Sequence, residues 1–351
     1  MVVQKKKRIA LLAPVAWRTP PRGYGAWETV VSNLTEGLVL RGWDVTLFAT
    51  ADSVTSAKLC SSVAKGYEED AHIDAQVASC LHISTVFENA DKFDLIHNHF
   101  DFLPLTYSRL VTTPVLTTVH GFSSPRILPV YNKYRESYFV SISNSDRTEG
   151  LNYLATVYNG INLSEFTFSE KPGDALVAYG RIHAEKGFHL AIKVAKRTGR
   201  RLIMAGYIQD RAYFEKEIAP HVDGDNIKYL GVLTNHERDE LLKQAYAVLH
   251  LNTIPERFGL VMAEAMAAGV PVVAMDLGSC REVVENGRTG FLVKNTNQAV
   301  DAIKRIPEIS RRACRQRVEN HFSSDAMVKN YEKVYRRIFQ LEEKKRRCEG
   351  T

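Results

Sequence analysis

Pro255-Glu256-Arg257-Phe258-Gly259-Leu260-Val261-Met262-Ala263-Glu264-Ala265-Met266-Ala267-Ala268-Gly269-Val270-Pro271-Val272-Val273-Ala274 packs a turn, a short helix and an apolar strand into one continuous run. The residues after Gly259 are mostly good helix formers, and Gly269 stands where a left-handed C′ glycine ends a helix. Glu264 therefore falls inside the helix and Glu256 just before it. The leading backbone N–H groups, at Gly259, Leu260 and Val261, have no intrahelical partner and carry the positive end of the helix dipole, so they can receive a phosphate. Each flanking carboxylate can accept hydrogen bonds from vicinal hydroxyls. A polyol attached to a phosphate, such as a sugar nucleotide, fits that arrangement. Taken alone, the pair reads equally well as two solvated acids at a helix start.

Outward from this run, strand-like segments alternate with helical patterns: 8–13, 44–49, 95–97, 115–118, 139–142 and 155–158, then 175–179, 201–205, 227–230, 247–251, 270–274 and 291–293. Such alternation predicts an α/β chain with parallel sheets. Twelve strands exceed one compact sheet, and the polar, turn-rich stretch 159–173 divides them into two sets of six. The reading is two Rossmann-like, doubly wound domains, 1–160 and 161–322, followed by 323–351 as a terminal helix and basic tail. Met327, Tyr331, Val334, Tyr335 and Ile338 recur at helical spacing in that last segment. Doubly wound sheets bind ligands at the carboxyl ends of their strands, so functional residues are expected in βα loops.

At 351 residues, the chain is long enough for two cores. Its five cysteines (Cys60, Cys80, Cys280, Cys314, Cys348) include no close CxxC pair. That argues against a zinc site or disulfide framework and for a reducing, cytoplasmic setting. The start, Lys5-Lys6-Lys7-Arg8 before Ile9-Ala10-Leu11-Leu12, looks like a short signal peptide, but the glycine loop and amphipathic helix that follow favour a buried first strand. The formal charge of +6 is concentrated near the ends, at 5–8, at Arg311, Arg312, Arg315 and Arg317, and at Arg336, Arg337 and Lys344-Lys345-Arg346-Arg347. Solvated helix faces explain these clusters; peripheral attraction to the anionic inner face of a membrane is the alternative. No motif or aromatic interleaving supports nucleic-acid binding.

Three further motifs follow predicted strands. Gly23-Tyr24-Gly25-Ala26-Trp27-Glu28 leads into a helix carrying Val30, Val31, Leu34 and Leu38 on one face, a phosphate-compatible loop without a GxGxxG fingerprint or a Walker lysine. Gly180-Arg181-Ile182-His183-Ala184-Glu185-Lys186-Gly187 repeats the design. Arg181 and Lys186 oppose the dipole of the next helix unless an anion is bound, so they are read as converging on a diphosphate. His97-Asn98-His99 ends one strand and Thr118-Val119-His120-Gly121 the next. His97 and His99 share a strand face, so a metal pair is geometrically possible, but no third ligand is apparent and buried, hydrogen-bonded histidines are the main reading. Asp223-Gly224-Asp225 imitates a metal-holding DxD pair, yet it falls at the amino end of a strand, where Asp-Gly is turn chemistry.

In the right order and over nearly the whole chain, residues 23–28, 118–121, 158–162, 180–187 and 256–264 resemble retaining glycosyltransferases of family 4. That resemblance implies the GT-B fold, two Rossmann-like domains facing a central donor cleft, with the last helix crossing back to the first domain. It implies that Glu264 binds the ribose, Glu256 the transferred hexose, and Arg181 with Lys186 the diphosphate. Gly259, Leu260 and Val261 would supply backbone donors. Gly180 and Phe258 would line the donor site, and Val232 and Leu233 would contact the base. Gly25 would approach the phosphate or acceptor, His120 the reacting sugar, and Tyr24, Glu28 and His99 the acceptor side. Two departures, Ala26 in place of a second glycine and Asn162 in place of aspartate, fall on the acceptor loop and the hinge.

By the same resemblance the protein is a metal-independent hexosyltransferase without a cofactor, the nucleotide sugar being a substrate. The donor is expected to be UDP-glucose or a related UDP-hexose first and GDP-mannose second. The acceptor is expected to be a saccharide, a lipid-linked saccharide or a small molecule, with polysaccharide or glycolipid biosynthesis as the setting. Transfer on one face, with the leaving phosphate helping to deprotonate the acceptor hydroxyl, would retain configuration. A sugar-nucleotide 2-epimerase of similar two-domain fold and a non-catalytic nucleotide-sugar-binding protein are the competing readings.

Overall fold

In the computed structural model, residues 6–121 and 125–349 are described. Lys5 of the basic start lies outside them. Contacts divide the chain into two compact units, the first made of residues 1–21, 25–160 and 324–351 and the second of 22–24 and 161–323.

The first unit holds a seven-stranded parallel sheet. Its strands are β1 (Arg8–Leu12), β2 (Asp44–Phe48), β3 (Lys58–Cys60), β4 (Leu95–Asn98), β5 (Val115–Val119), β6 (Tyr138–Ser141) and β7 (Tyr153–Thr156), in the order β3-β2-β1-β4-β5-β6-β7. Ile9, Ala10, Leu11 and Leu12 have no exposed surface, as a strand covered on both faces requires. The order reverses between β1 and β4, which leaves a crevice at their carboxyl ends. The 159–173 divide predicted six strands here. The extra one, β3, is three residues at the sheet edge with two exposed positions, too short and too polar to show an apolar period. β7 starts two residues earlier than expected, and its pairing with β6 shifts register between Phe139 and Val140.

The helix Ala26–Leu40 buries Val30, Val31, Leu34 and Leu38. The terminal helix Ser324–Glu349 packs against it within the same unit, burying Met327, Tyr331, Val334, Tyr335 and Ile338. Gly37 makes that approach close: a Cβ there would lie 2.5 Å from Val328 Cγ2. Trp43 Nε1 adds a hydrogen bond to Glu332 Oε1 at 2.9 Å. Lys344 to Arg347 lie exposed near the end of the terminal helix.

The second unit holds β8 (Ala175–Tyr179), β9 (Leu202–Ala205), β10 (Ile227–Tyr229), β11 (Ala245–His250), β12 (Val272–Met275) and β13 (Gly290–Val293), all parallel, in the order β10-β9-β8-β11-β12-β13. Here the order reverses between β8 and β11. The chain thus forms two Rossmann-like parallel-sheet units. Asp223 accepts the backbone N–H groups of Asp225 and Ile227, and Gly224 has φ +81°, so this Asp-Gly-Asp run is a turn leading into β10. Among the described residues no helix is long and apolar enough to cross a membrane, and no group of three or more His, Cys, Asp or Glu side chains could hold a metal ion.

Candidate active site

The switch point of the second sheet gathers most of the expected donor-site residues. Tyr179, Gly180 and Arg181 lie at the end of β8, and Lys186 follows on the same loop. That loop turns into the helix Phe188–Thr198 through Gly187, whose φ of +68° and close approach to Leu251 O admit no side chain. Across the switch, β11 ends at His250, with Asn252, Glu256 and the helix Leu260–Ala267 beyond it. Gly259 caps that helix in the left-handed region at φ +83°, and Gly269 follows it at φ +84°, so both glycines occupy the positions their spacing predicts. Phe258 is buried beneath the turn.

Glu256 is the centre of the cluster. Its Oε2 accepts hydrogen bonds from Lys186 Nζ at 2.7 Å and Asn252 Nδ2 at 2.6 Å, with His250 Nε2 at 2.9 Å. Its Oε1 accepts the backbone N–H of Arg257 at 3.0 Å. Burial alone would raise this carboxyl, but the His250 hydrogen bond and the Lys186 charge outweigh it and hold the group well below the usual carboxylate range. Glu256 is therefore an anion. The Oδ1 of Asn252 beside it is buried without a partner, an acceptor available to a hydroxyl.

Lys186 and Arg181 sit on the expected loop, but the premise that only a bound anion could justify them is corrected. The chain supplies the anions: Glu256 pairs with Lys186 and Glu185 with Arg181, whose guanidinium also donates to the neutral amide of Gln209. Folding alone can thus hold cations against the dipole of the following helix, because Glu185 of the same loop and Glu256 from across the switch neutralise them.

Glu264 is buried on the Leu260–Ala267 helix and accepts from Tyr179 Oη at 2.9 Å. Arg238, on the helix Asn235–Lys243, brings its Nε to 3.7 Å from Glu264 Oε2, and its guanidinium also lies 3.6 Å from Glu165 Oε2. Val232 is exposed in the loop after β10, and Leu233 half-buried beside it. Tyr24 belongs to the second unit and stacks on Tyr207 with ring centroids 5.7 Å apart. Sequence reading did not single out Tyr179, Arg238, His250 or Asn252. Tyr179 and His250 end adjacent strands, a position that could have flagged them. Arg238 sits in a charged helix, Asn-His-Glu-Arg-Asp-Glu-Leu-Leu-Lys, whose pattern carries no such signal.

The first unit assembles the other expected residues around its own switch point. Gly25, at φ +149°, caps the Ala26–Leu40 helix, and its carbonyl accepts the N–H and the hydroxyl of Thr29. Glu28 turns inward and is buried. Burial raises its carboxyl to about 7, against the lowering effect of the backbone N–H groups of Glu28 and Trp17. His99, expected on the acceptor side, has no exposed surface; its ring lies between His97 and His120 in a hydrogen-bonded series. The histidines of the two strand ends are thus hydrogen-bonded to one another and, through His97, to Tyr335 of the terminal helix, which is the main reading of the His-Asn-His run. Trp27 stacks on His120 with centroids 5.2 Å apart.

Residues 163–321, nearly the whole second unit, match the model of the glycosyl transferases group 1 family. Over its full length it is similar to the glycogen synthase of Mycobacterium tuberculosis, at 25% identity covering 92% of this chain and 93% of the relative. Its fold is shared with solved GT-B glycosyltransferase structures. Sucrose-phosphate synthase from Thermosynechococcus elongatus superposes with a TM-score of 0.77 at 20% identity, covering 96% of this chain and 100% of the other. Anabaena HepE in complex with UDP and glucose superposes with a TM-score of 0.74 at 18% identity, covering 94% and 99%.

Proposed function

We propose that the protein is a retaining, metal-independent hexosyltransferase of glycosyltransferase family 4. It would move a hexose from a nucleoside-diphosphate sugar, UDP-glucose first and GDP-mannose second, to a hydroxyl of a saccharide, lipid-linked saccharide or small-molecule acceptor. The observation that carries this reading is the Lys186–Glu256 pair spanning the β8/β11 switch point, with the leading amides of the Leu260–Ala267 helix beside it. The likeness to HepE, a structure with UDP and glucose, supports placing a UDP-hexose first.

In this reading, departure of the nucleoside diphosphate builds negative charge that Arg181, Lys186 and the amides of Gly259, Leu260 and Val261 offset. Lys186 is held by Glu256, and its ammonium has three hydrogens to share between Glu256 and a phosphate oxygen. Glu256 and the free Oδ1 of Asn252 accept hexose hydroxyls, and Glu264, steadied by Tyr179 and Arg238, accepts those of the ribose. Val232 and Leu233 contact the base, and Gly180 and Phe258 complete the donor wall. His120 contacts the sugar, and Gly25, Tyr24 and Glu28 serve the phosphate or acceptor side. The acceptor oxygen attacks the anomeric carbon on the face the diphosphate leaves, and its proton passes to the departing phosphate, so an α-linked donor gives an α-linked product.

The test is incubation with UDP- and GDP-hexoses and a panel of glycosyl acceptors, with NMR of the new anomeric proton. An α-linked, lengthened acceptor without added divalent ion supports the reading. An inverted product, or an epimerised donor with no lengthened acceptor, would refute it.

A further inference from the structure

His120, His99 and His97 form a continuous hydrogen-bonded series inside the first unit, tied at its far end to the terminal helix. His120 Nε2 lies 2.9 Å from His99 Nδ1, and His99 Nε2 lies 3.3 Å from His97 Nδ1. His97 Nδ1 is also 2.7 Å from Tyr335 Oη, and His97 Nε2 is 2.7 Å from Thr118 Oγ1, which in turn is 2.8 Å from Tyr331 Oη. His97, His99 and Thr118 have no exposed surface, and neither do Tyr331 and Tyr335. One ring nitrogen stays without a protein partner: His120 Nδ1, buried on a residue 6% exposed.

We infer that Tyr335 of the terminal helix is a positioning residue: through His97 and His99 it fixes His120 in the Nε2–H tautomer, leaving Nδ1 as a hydrogen-bond acceptor for a substrate hydroxyl. The substrate role rests on the reading of His120 as a sugar contact; the tautomer does not. Burial holds His97 and His99 well below the ordinary imidazole value and His120 at about 3, so all three rings are neutral at neutral pH. A neutral imidazole has one N–H and one lone pair, so each ring passes its polarity to the next and two consistent directions remain.

In the first direction, Tyr335 donates to His97 Nδ1, and His97 Nε2–H donates to Thr118. His99 Nε2–H shares the His97 Nδ1 lone pair, and His120 Nε2–H donates to His99 Nδ1. One hydroxyl hydrogen, on Thr118 or Tyr331, and the His120 Nδ1 lone pair are left unpaired. In the second direction, Tyr331 donates to Thr118, Thr118 to His97 Nε2, His97 Nδ1–H toward His99 and Tyr335, and His99 Nδ1–H to His120 Nε2. That leaves two buried hydrogens unpaired, on Tyr335 and on His120 Nδ1. Buried unpaired donors are rarer and costlier than under-used acceptors, so the first direction is favoured. Tyr335 decides it, because it is the group the second direction orphans.

The test is long-range proton–nitrogen NMR of the full protein with nitrogen-15 in histidine, the His120 signals being assigned by their loss in His120→Gln. The expected result is an Nε2–H, Nδ1-unprotonated pattern for His120 in the wild type. Tyr335→Phe keeps the ring that fills the core but removes the donor, so the preference disappears and the His120 pattern becomes mixed or inverts. Tyr331→Phe, which also loses one buried hydroxyl, leaves the first direction favoured and the pattern unchanged. An Nδ1–H pattern in the wild type overturns the proposal, as does a Tyr335→Phe protein with an unaltered pattern. Transfer activity is read separately: wild-type turnover in His120→Gln would remove the sugar-contact role of His120 and leave the tautomer assignment standing.

Discussion

Replacing Glu28 by glutamine isolates the effect of one buried carboxyl on the first unit. Glu28 is 3% exposed, and burial raises its carboxyl from 4.5 to about 7. The folded state therefore holds a proton that the unfolded chain has released between those values. The resulting stabilisation is fully present below pH 4.5, fades as pH rises toward 7 and is lost above it. At about 1.4 kcal/mol per pH unit, the interval corresponds to about 3 kcal/mol. Glutamine has the shape of the neutral acid and does not titrate. The stability of Glu28→Gln relative to wild type should thus rise by about 3 kcal/mol between pH 4.5 and pH 8. Buried histidines act in the opposite sense. His82 is lowered to about 4 by burial and costs stability as pH falls below its unfolded value, but it is common to both proteins and cancels in the difference. All three tryptophans, Trp17, Trp27 and Trp43, belong to the first unit, so tryptophan fluorescence during urea unfolding follows that unit alone. With a slope of about 2 kcal/mol per molar urea, the relative midpoint moves by about 1.5 M across the pH range. A difference constant to within about 0.5 kcal/mol from pH 5 to pH 8 would refute the reasoning.

Other perturbations bear on the second unit. Lys186→Ala leaves Glu256 buried with its charge partner gone, and transfer should fall about 100-fold or more in a steady-state assay, consistent with loss of a positioned cation. Arg238→Met keeps most of the side-chain packing but removes the cation beside Glu264; calorimetric titration with the free nucleoside diphosphate should show affinity weakened about 10-fold. Because the Glu256 carboxyl is held below its unfolded value, its stabilising contribution is present above pH 4.5 and lost as pH falls through the folded value. Amide-exchange protection factors, taken relative to the intrinsic rate at each pH, should fall in acid for peptides from 161–323 of the wild type and less so for Glu256→Gln. Gly187→Ala would place a Cβ 1.9 Å from Leu251 O at φ +68°, and the melting temperature should drop by several degrees, about 2 kcal/mol or more being lost.

Much of the residue cluster at the β8/β11 switch was legible in the sequence because it is built from local signals. The Gly259 and Gly269 pair bounds a helix whatever surrounds it, and that alone places Glu256 before the helix and Glu264 within it. The alternation of apolar runs with amphipathic helices likewise reports a parallel sheet, since strands covered on both faces must be continuously apolar. β3 escaped because a three-residue edge strand has no such run to show. Tyr179, His250 and Asn252 are chemically ordinary until the strand order makes β8 and β11 neighbours.

Tertiary structure alone decided the partnerships. Lys186 and Glu256 are 70 positions apart and meet because the sheet order reverses between their strands. The same holds for His97 and Tyr335, 238 positions apart, joined when the terminal helix packs back into the first unit. The burial of Glu28, and the shift in its proton affinity, likewise come only with the fold. Helix ends, glycine turns and strand runs are set by forces acting over a few residues, so they are written in the sequence. Charge states and hydrogen-bond polarity depend on which distant groups exclude water from one another, and that is settled only when the chain is folded.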